Sequence, residues 1–395
     1  MKLLELEVEG YRSLKHVIWK PGDLNVLIGP NGSGKTNLVK GLQLLTASAR
    51  GNLKKFVLSE GGLEAMSWDK HTRDIHLRVA TERRSANRDG VPRFFEYDLR
   101  LSWSFDLYEP LEKLIAAFEK DEAPENQQLV TILERTSDRW AILGKDFQLA
   151  PAEPDNTQVE TLLSAARGPL GSNLDVVRFR MELERWQIYQ APETGADSQL
   201  RRPSVLRWEM QLDETGENAI PFIHTWCSED RQFNESIYLA MRAAFAEDFE
   251  ELIFAPASDA RIQMRIRWRG LKHAIPATEL SDGTLRFLFL ISVLANPSPP
   301  PLIVIEEPEL GLHPKMLPII AEYAVDAARR TQVIFTTHSP DFLTAFRQHV
   351  PTVTVFNWEN GETVLRTLKE DELAYWLKEY TLGEFAFSGA AEAVE

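Results

Sequence analysis

Leu3, Leu6 and Val8 alternate with polar residues and predict an opening strand; after a break at Gly10, Leu24-Asn25-Val26-Leu27-Ile28 is an apolar run that stops at Gly29. From Thr36 to Ala49 the period changes. Leu38, Val39, Leu42 and Leu45 recur at helical spacing until Gly51, so the pattern reads strand, Gly-rich turn, helix. Alternation returns over 72–107, in Ile75-His76-Leu77-Arg78-Val79 and Phe95-Glu96-Tyr97-Asp98-Leu99, and predicts antiparallel strands with a turn at Arg88-Asp89-Gly90. Between about 108 and 200, helical patches are predicted at Leu111–Lys120, Asn126–Arg135 and Val176–Tyr189, separated by Pro- and Asp-rich loops near 151–156 and 191–203. Past Phe245 strands resume, and Leu302-Ile303-Val304-Ile305 and Gln332-Val333-Ile334-Phe335 suit central parallel strands covered on both faces. No repeat indicates a solenoid and no heptad run a long coiled coil, so the insertion reads as compact. The expected fold is an α/β head with a mixed sheet, interrupted by a long, mostly helical insertion: 1–107 and 246–395 form the head, and 108–245 an inserted lid region.

Composition narrows the classes. The chain has 395 residues, 44% hydrophobic and 26% charged, which suits an ordinary globular protein of two or so domains. The net charge of −15 disfavours non-specific wrapping of nucleic acid, which needs clustered Lys and Arg. A single cysteine, Cys227, can form neither an internal disulfide nor a zinc cluster. The first residues read as a strand rather than a signal peptide. The longest apolar stretch, Phe287 to Ala295, falls far short of the ~20 residues that span a bilayer. A cytoplasmic location with no membrane segment is expected.

The candidate chemistry lies in four motifs. Gly29-Pro30-Asn31-Gly32-Ser33-Gly34-Lys35-Thr36 fits the phosphate-loop pattern G-x-x-x-x-G-K-[ST], between a predicted strand and a predicted helix. In such a loop backbone N–H groups converge on phosphates, the helix dipole adds to them, Lys35 reaches the β and γ phosphates and Thr36 ligates Mg²⁺. Asn31, Gly32, Ser33 and Gly34 belong to the same cradle. Glu306 and Glu307 end an apolar strand, where α/β sheets bind ligands; Glu306 is expected near the Mg²⁺ and Glu307 beside the water that attacks the γ phosphate. Leu280-Ser281-Asp282-Gly283-Thr284 precedes an apolar helix, and Phe335-Thr336-Thr337-His338-Ser339-Pro340 ends a strand on a histidine.

In this order the four motifs resemble the RecF/SMC/OLD branch of ABC ATPases and, within it, bacterial RecF-like ATPases of the AAA type. Asn37, Gly311-Leu312-His313-Pro314 and Thr381-Leu382-Gly383-Glu384 extend the likeness over nearly the whole chain. The resemblance implies ATP and Mg²⁺ as ligands and His338 as the switch histidine. It also implies an ATP sandwich in which Ser281 and Gly283 meet a γ phosphate held by the opposite subunit of a homodimer or higher oligomer. Arg12, in Gly10-Tyr11-Arg12-Ser13, matches a basic position that in relatives lies near the nucleotide. The chain departs from the pattern at Glu306, where relatives carry aspartate, and at Asp282 and Thr284 in the signature. No Q-loop glutamine is assigned, since Gln43 is too close to the phosphate loop.

The resemblance leaves several functions open. One is an ATP-gated clamp or sensor that changes its contact with an effector protein or nucleic acid, in DNA maintenance or antiviral defence. Another is a slowly hydrolysing scaffold. A transporter motor fits less well, because such motors carry a short insertion and a Q-loop. Fewer than 60 residues follow His338, so a nuclease is expected from a partner rather than from the same chain. DNA is a possible partner: alternation in Arg261–Arg269 places Arg265, Arg267 and Arg269 on one face and Met264, Ile266 and Trp268 on the other. Such a ribbon fits phosphate contacts or a solvated edge that blunts strand pairing.

Overall fold

Alternating burial along the first strands sets up one large sheet, and fully apolar strands later in the chain set up another. The computed structural model describes residues 1–70, 72–83, 92–104, 107–119, 127–144, 149–151, 159–167, 173–346, 349–369 and 372. Strands β1 (Lys2–Tyr11), β2 (Leu14–Trp19) and β3 (Leu24–Ile28) precede helices α1 (Lys35–Arg50), α2 (Leu53–Ser59) and α3 (Leu63–Met66). Six strands follow: β4 (Asp74–Glu82), β5 (Phe94–Ser104), β6 (Leu107–Glu119), β7 (Gln127–Arg135), β8 (Trp140–Leu143) and β9 (Leu149–Pro151). After α4 (Leu162–Ala165) and α5 (Leu174–Glu184) come β10 (Gln187–Tyr189), β11 (Ser204–Val205), α6 (Ala219–Glu229) and α7 (Arg231–Phe245). The remainder is β12 (Phe249–Ala257), β13 (Arg261–Trp268), β14 (Ile275–Pro276), α8 (Asp282–Leu294), β15 (Leu302–Glu306) and α9 (Leu317–Ala328). It closes with β16 (Gln332–Thr337), α10 (Pro340–Thr344), β17 (Thr352–Glu359) and β18 (Glu362–Thr367). These elements form two compact units. One comprises Met1–Gly22, Gly29–Trp186 and Thr354–Thr367; the other comprises Asp23–Ile28, Gln187–Val353 and the stretch from Leu368.

The first unit contains an eight-stranded antiparallel sheet in the order β2-β1-β4-β5-β6-β7-β8-β9. Leu6, Val8, Leu77, Val79, Tyr97 and Leu99 are buried on one face, where Phe179 of α5 stacks on Tyr97 at 5.6 Å. The opposite face carries a charged ladder. Arg78 donates to Glu96 (2.9 Å) and Glu7 (3.1 Å) on the flanking strands, and His76 Nε2 lies 2.8 Å from Asp98.

The helices expected at Leu111–Lys120 and Asn126–Arg135 are not found. Those stretches are β6 and β7, paired antiparallel. The third patch is divided: α5 ends at Glu184 and Gln187–Tyr189 is strand β10. Among the described residues, the helices of the insertion therefore begin only at Leu162. The turn at Arg88-Asp89-Gly90 and the Thr381–Glu384 motif lie outside the described residues.

In the second unit, parallel strands run in the order β10-β15-β16-β3, with Tyr189 opposite Ile305, Glu306 opposite Thr336 and Thr337 opposite Ile28. Leu302 to Ile305 and Val333 to Thr337 are almost completely buried, as the continuous apolar runs require. A smaller antiparallel sheet, β11-β13-β12 with β14 on β13, carries the basic strand. Met264 and Ile266 are buried and Arg267 and Arg269 are exposed, as the alternation predicts, but Arg265 and Trp268 are half-buried and the strand ends at Trp268, before Arg269. Arg267 lies 3.6 Å from Glu251, Arg269 pairs with Glu247, and Arg265 donates to Gln263 (2.9 Å). Cys227 is half-buried, and burial pushes its thiol up to about 12, which keeps it protonated at neutral pH. Among the described residues no helix is long and apolar enough to cross a membrane.

Candidate nucleotide-binding site

In the first unit the loop from Gly29 to Lys35 is framed by Ser13 and Thr363. Thr363 Oγ1 donates to Ser33 O (2.9 Å) and lies 2.7 Å from Ser13 Oγ, which also accepts Asn37 Nδ2 (2.7 Å). Gly34 is required twice over. Its φ is 104°, and a Cβ there would stand 2.1 Å from Thr363 Oγ1. Because Gly34 is the N-cap of the 16-residue α1 and there is no acidic side chain in the first turn, the first N–H groups have no side-chain cap. An end of that kind is chemically suited to a phosphate. Lys35 is buried, with Nζ donating to Gly29 O (2.6 Å) and Pro30 O (3.0 Å), so its ammonium lies across the loop. Asn31, Gly32 and Thr36 are exposed and Ser33 is buried. Arg12, at φ 51°, pairs with Glu60, which also takes Lys40 Nζ at 2.8 Å. The guanidinium is thus engaged within this unit, one residue from the Ser13 that frames the loop.

In the second unit the register Ile28–Thr337 and Thr336–Glu306 brings three strand ends to one edge of the parallel sheet. The chain leaves that edge at Gly29, His338 and Glu307. Glu307 takes a left-handed backbone (φ 47°), its N–H donates to Thr336 O (2.9 Å), and its Oε1 lies 3.3 Å from His338 Nδ1. Beside this pair, Thr337 Oγ1 donates to the half-buried Glu309 at 2.6 Å, and Glu309 Oε1 is 3.9 Å from His338 Nδ1. Burial raises the Glu309 carboxyl above the usual carboxylate range, partly offset by the Thr337 bond. Glu306 accepts the side-chain amide of Gln190 at 3.2 Å.

The signature stretch lies in this unit at the N-terminus of α8. Ser281 is the N-cap: its Oγ accepts Thr284 N (3.2 Å) and lies 2.7 Å from Thr284 Oγ1. Asp282 is occupied by Arg201. A Cβ on Gly283 would stand 3.0 Å from Gly311 O, and a Cβ on Gly311, itself at φ 71°, would stand 2.4 Å from Arg286 Nη1. The same Arg286 atom donates to Leu310 O at 3.1 Å, which joins the signature helix to the loop after β15.

The predicted residues thus fall into two groups. Arg12 and the Asn31–Thr36 loop lie in the first unit, whereas Glu306, Glu307, His338, Ser281 and Gly283 lie in the second. Among the described residues no group of three or more His, Cys, Asp or Glu could hold a metal. Sequence reading missed Gln190, Arg201 and Glu309. The available signal for Gln190 was a polar residue closing the short apolar pair Ile188-Tyr189; nothing local distinguishes Arg201.

A profile for the family described as "AAA domain, putative AbiEii toxin, Type IV TA system" matches residues 24–344. The chain belongs to that family. It is an ABC-type ATPase of the RecF/SMC/OLD type. The OLD nuclease of Thermus scotoductus is 23% identical over 351 residues, which cover 86% of this chain and 59% of that protein. The chain therefore spans less than two thirds of that relative. Among solved structures, an Smc head bound to the C-winged helix domain of ScpA aligns with TM-score 0.61 and 14% identity, over 94% of this chain and all of that one. An Smc head with an extended coiled coil, bound to the C-terminal domain of ScpA derived from Pyrococcus furiosus, aligns with TM-score 0.53 and 13% identity. That match covers 96% of this chain and 99% of the other. These likenesses extend the ABC-type assignment to the fold of the ATPase head.

Proposed function

We propose that the protein binds ATP with Mg²⁺, closes as a homodimer on two nucleotides, and uses hydrolysis to change its hold on an effector protein. The observation that carries this reading is the common edge of β3, β15 and β16, from which the phosphate loop, Glu307 and His338 all depart. Asn31, Gly32, Ser33 and Gly34 offer the cradle, Lys35 the cation for the β and γ phosphates, and Thr36 and Glu306 the Mg²⁺ shell. Bound Mg²⁺ would supply charge neutralisation on the phosphate oxygens. Glu307 polarises the attacking water and His338, 3.3 Å away, faces the same phosphate. Gln190 takes the place of the coupling glutamine, since it reaches Glu306 from the neighbouring strand. Ser281 and Gly283 complete the site of a second copy. Arg12 stands near the nucleotide only if it leaves Glu60.

The aligned SMC heads, each bound to a ScpA domain, support a protein partner in trans, and a role in DNA maintenance or antiviral defence belongs to the same reading through the family resemblance. DNA contact through the Arg265 strand belongs to the same reading, as does a cytoplasmic location. A slowly hydrolysing scaffold is the second reading. Phosphate release from ATP with Mg²⁺ separates the two: multiple turnovers support the switch, and ATP binding without turnover supports the scaffold. Lys35→Ala should abolish ATP binding while leaving the fold intact, and unchanged affinity in calorimetry would refute the site.

A further inference from the structure

The backbone around Ser281 is held by a side chain 80 residues earlier in the chain. Arg201 is 8% exposed, and its Nη1 donates to Leu280 O (2.6 Å), Ala277 O (3.1 Å) and Thr278 O (3.2 Å). Its Nε donates to Thr194 O (2.6 Å) and its Nη2 to Asp282 Oδ1. The loop that presents it is itself tied down: Ser198 N donates to Gly195 O (3.0 Å), and Arg201 N to Ser198 O (3.0 Å). A buried guanidinium is costly unless every donor is matched, and here the planar fork is matched almost entirely by one turn of chain. Those acceptors bracket Ser281 on both sides. The bond from Arg201 also holds the exposed Asp282 carboxyl below the usual range.

We propose that Arg201 is a positioning residue for phosphate recognition in trans: it fixes Ser281-Asp282-Gly283 in the geometry that receives the γ phosphate of a nucleotide carried by a second copy of this chain. Arg201 touches no nucleotide itself. The inference rests on the dimeric reading above and adds to it the residue that makes the signature loop rigid before the two copies meet. Lysine cannot replace it, because a single ammonium on a flexible stem cannot span carbonyls at 277, 278 and 280 together with Asp282.

The test uses the full-length protein in a Glu307→Gln background, where ATP is retained. Light scattering reads the ATP concentration at half-maximal gain of mass. A fluorescent ATP analogue, used at protein concentrations too low for assembly, reads the affinity of the single copy. Arg201→Lys should raise the concentration needed for assembly about tenfold, as loss of charge-assisted hydrogen bonds implies, while single-copy affinity changes less than about twofold. Asp282→Asn removes the charge from one arm of the fork, at an exposed position, and should give a smaller shift, on the order of threefold, so it carries the test if Arg201→Lys does not fold. Ser281→Arg serves as the control for the composite site. If Ser281→Arg blocks assembly but Arg201→Lys, or Asp282→Asn in its place, assembles at the parental ATP concentration, the positioning role is overturned and the dimer stands. If Ser281→Arg assembles as well as its parent, or the parent gains no mass with ATP, the dimeric reading falls and the Arg201 role with it.

Discussion

Glu307 Oε1 and His338 Nδ1 lie 3.3 Å apart at the ends of adjacent parallel strands, with the half-buried Glu309 beside them. In the proposed reading the carboxylate polarises the attacking water and the imidazole faces the phosphate. Replacing Glu307 with Gln preserves the shape and removes the charge. Turnover should fall by roughly 10² or more, the scale of general-base loss, with ATP and Mg²⁺ still bound. Phosphate-release assays alongside calorimetry check both halves, and normal turnover would eliminate Glu307 as the base.

The basic strand makes a different prediction. Arg267 and Arg269 are exposed but lie beside Glu251 and Glu247, so their charge is partly spent within the sheet. If the ribbon contacts phosphates, changing Arg265, Arg267 and Arg269 to Ser should lower DNA affinity and reduce the salt slope by up to about 3, while ATPase activity without DNA survives. A parent protein that binds no DNA at low salt would leave the ribbon as a solvated edge.

A third prediction concerns stability. Glu112 is buried, accepts Tyr97 OH (2.7 Å) and Leu163 N (3.2 Å), and also accepts Leu162 N. Glu112→Gln would turn an amide donor toward one of these donors and should cost about 1–3 kcal/mol at pH 5. Burial raises the Glu112 carboxyl, so its contribution is full below the unfolded value of 4.5 and is lost as pH rises through the folded one. Glutamine has no such loss. The difference between parent and variant in urea unfolding should therefore narrow with rising pH, and a widening gap would contradict the assignment.

Glu112 also explains where sequence reading failed. On β6 the buried face is Tyr108, Pro110, Glu112, Leu114 and Ala116, and a carboxylate in that series hides the alternation. A register shift opposite Leu114/Ile115 leaves Ile132 between the paired residues Thr131 and Leu133, so Ile132 and Leu133 are both buried. Leu129, Ile132 and Leu133 thereby acquire helical spacing within a strand. By contrast, Leu24–Ile28, Leu302–Ile305 and Gln332–Phe335 are continuous apolar runs with polar chemistry at their ends, so both the parallel sheet and the motifs at its edge were legible. Gln190 and Arg201 were not. Their significance depends on the pairing of β10 with β15 and on a loop that folds back 80 residues along the chain, and neither leaves a local pattern.

The left-handed backbone of Glu307 has a consequence for engineering. A non-glycine residue held there costs on the order of 1–2 kcal/mol, which glycine would largely recover. At this position foldedness and chemistry therefore oppose each other. Selection for heat resistance alone would favour a glycine that discards the carboxylate, so libraries built on this scaffold need turnover, and not melting temperature, as their filter.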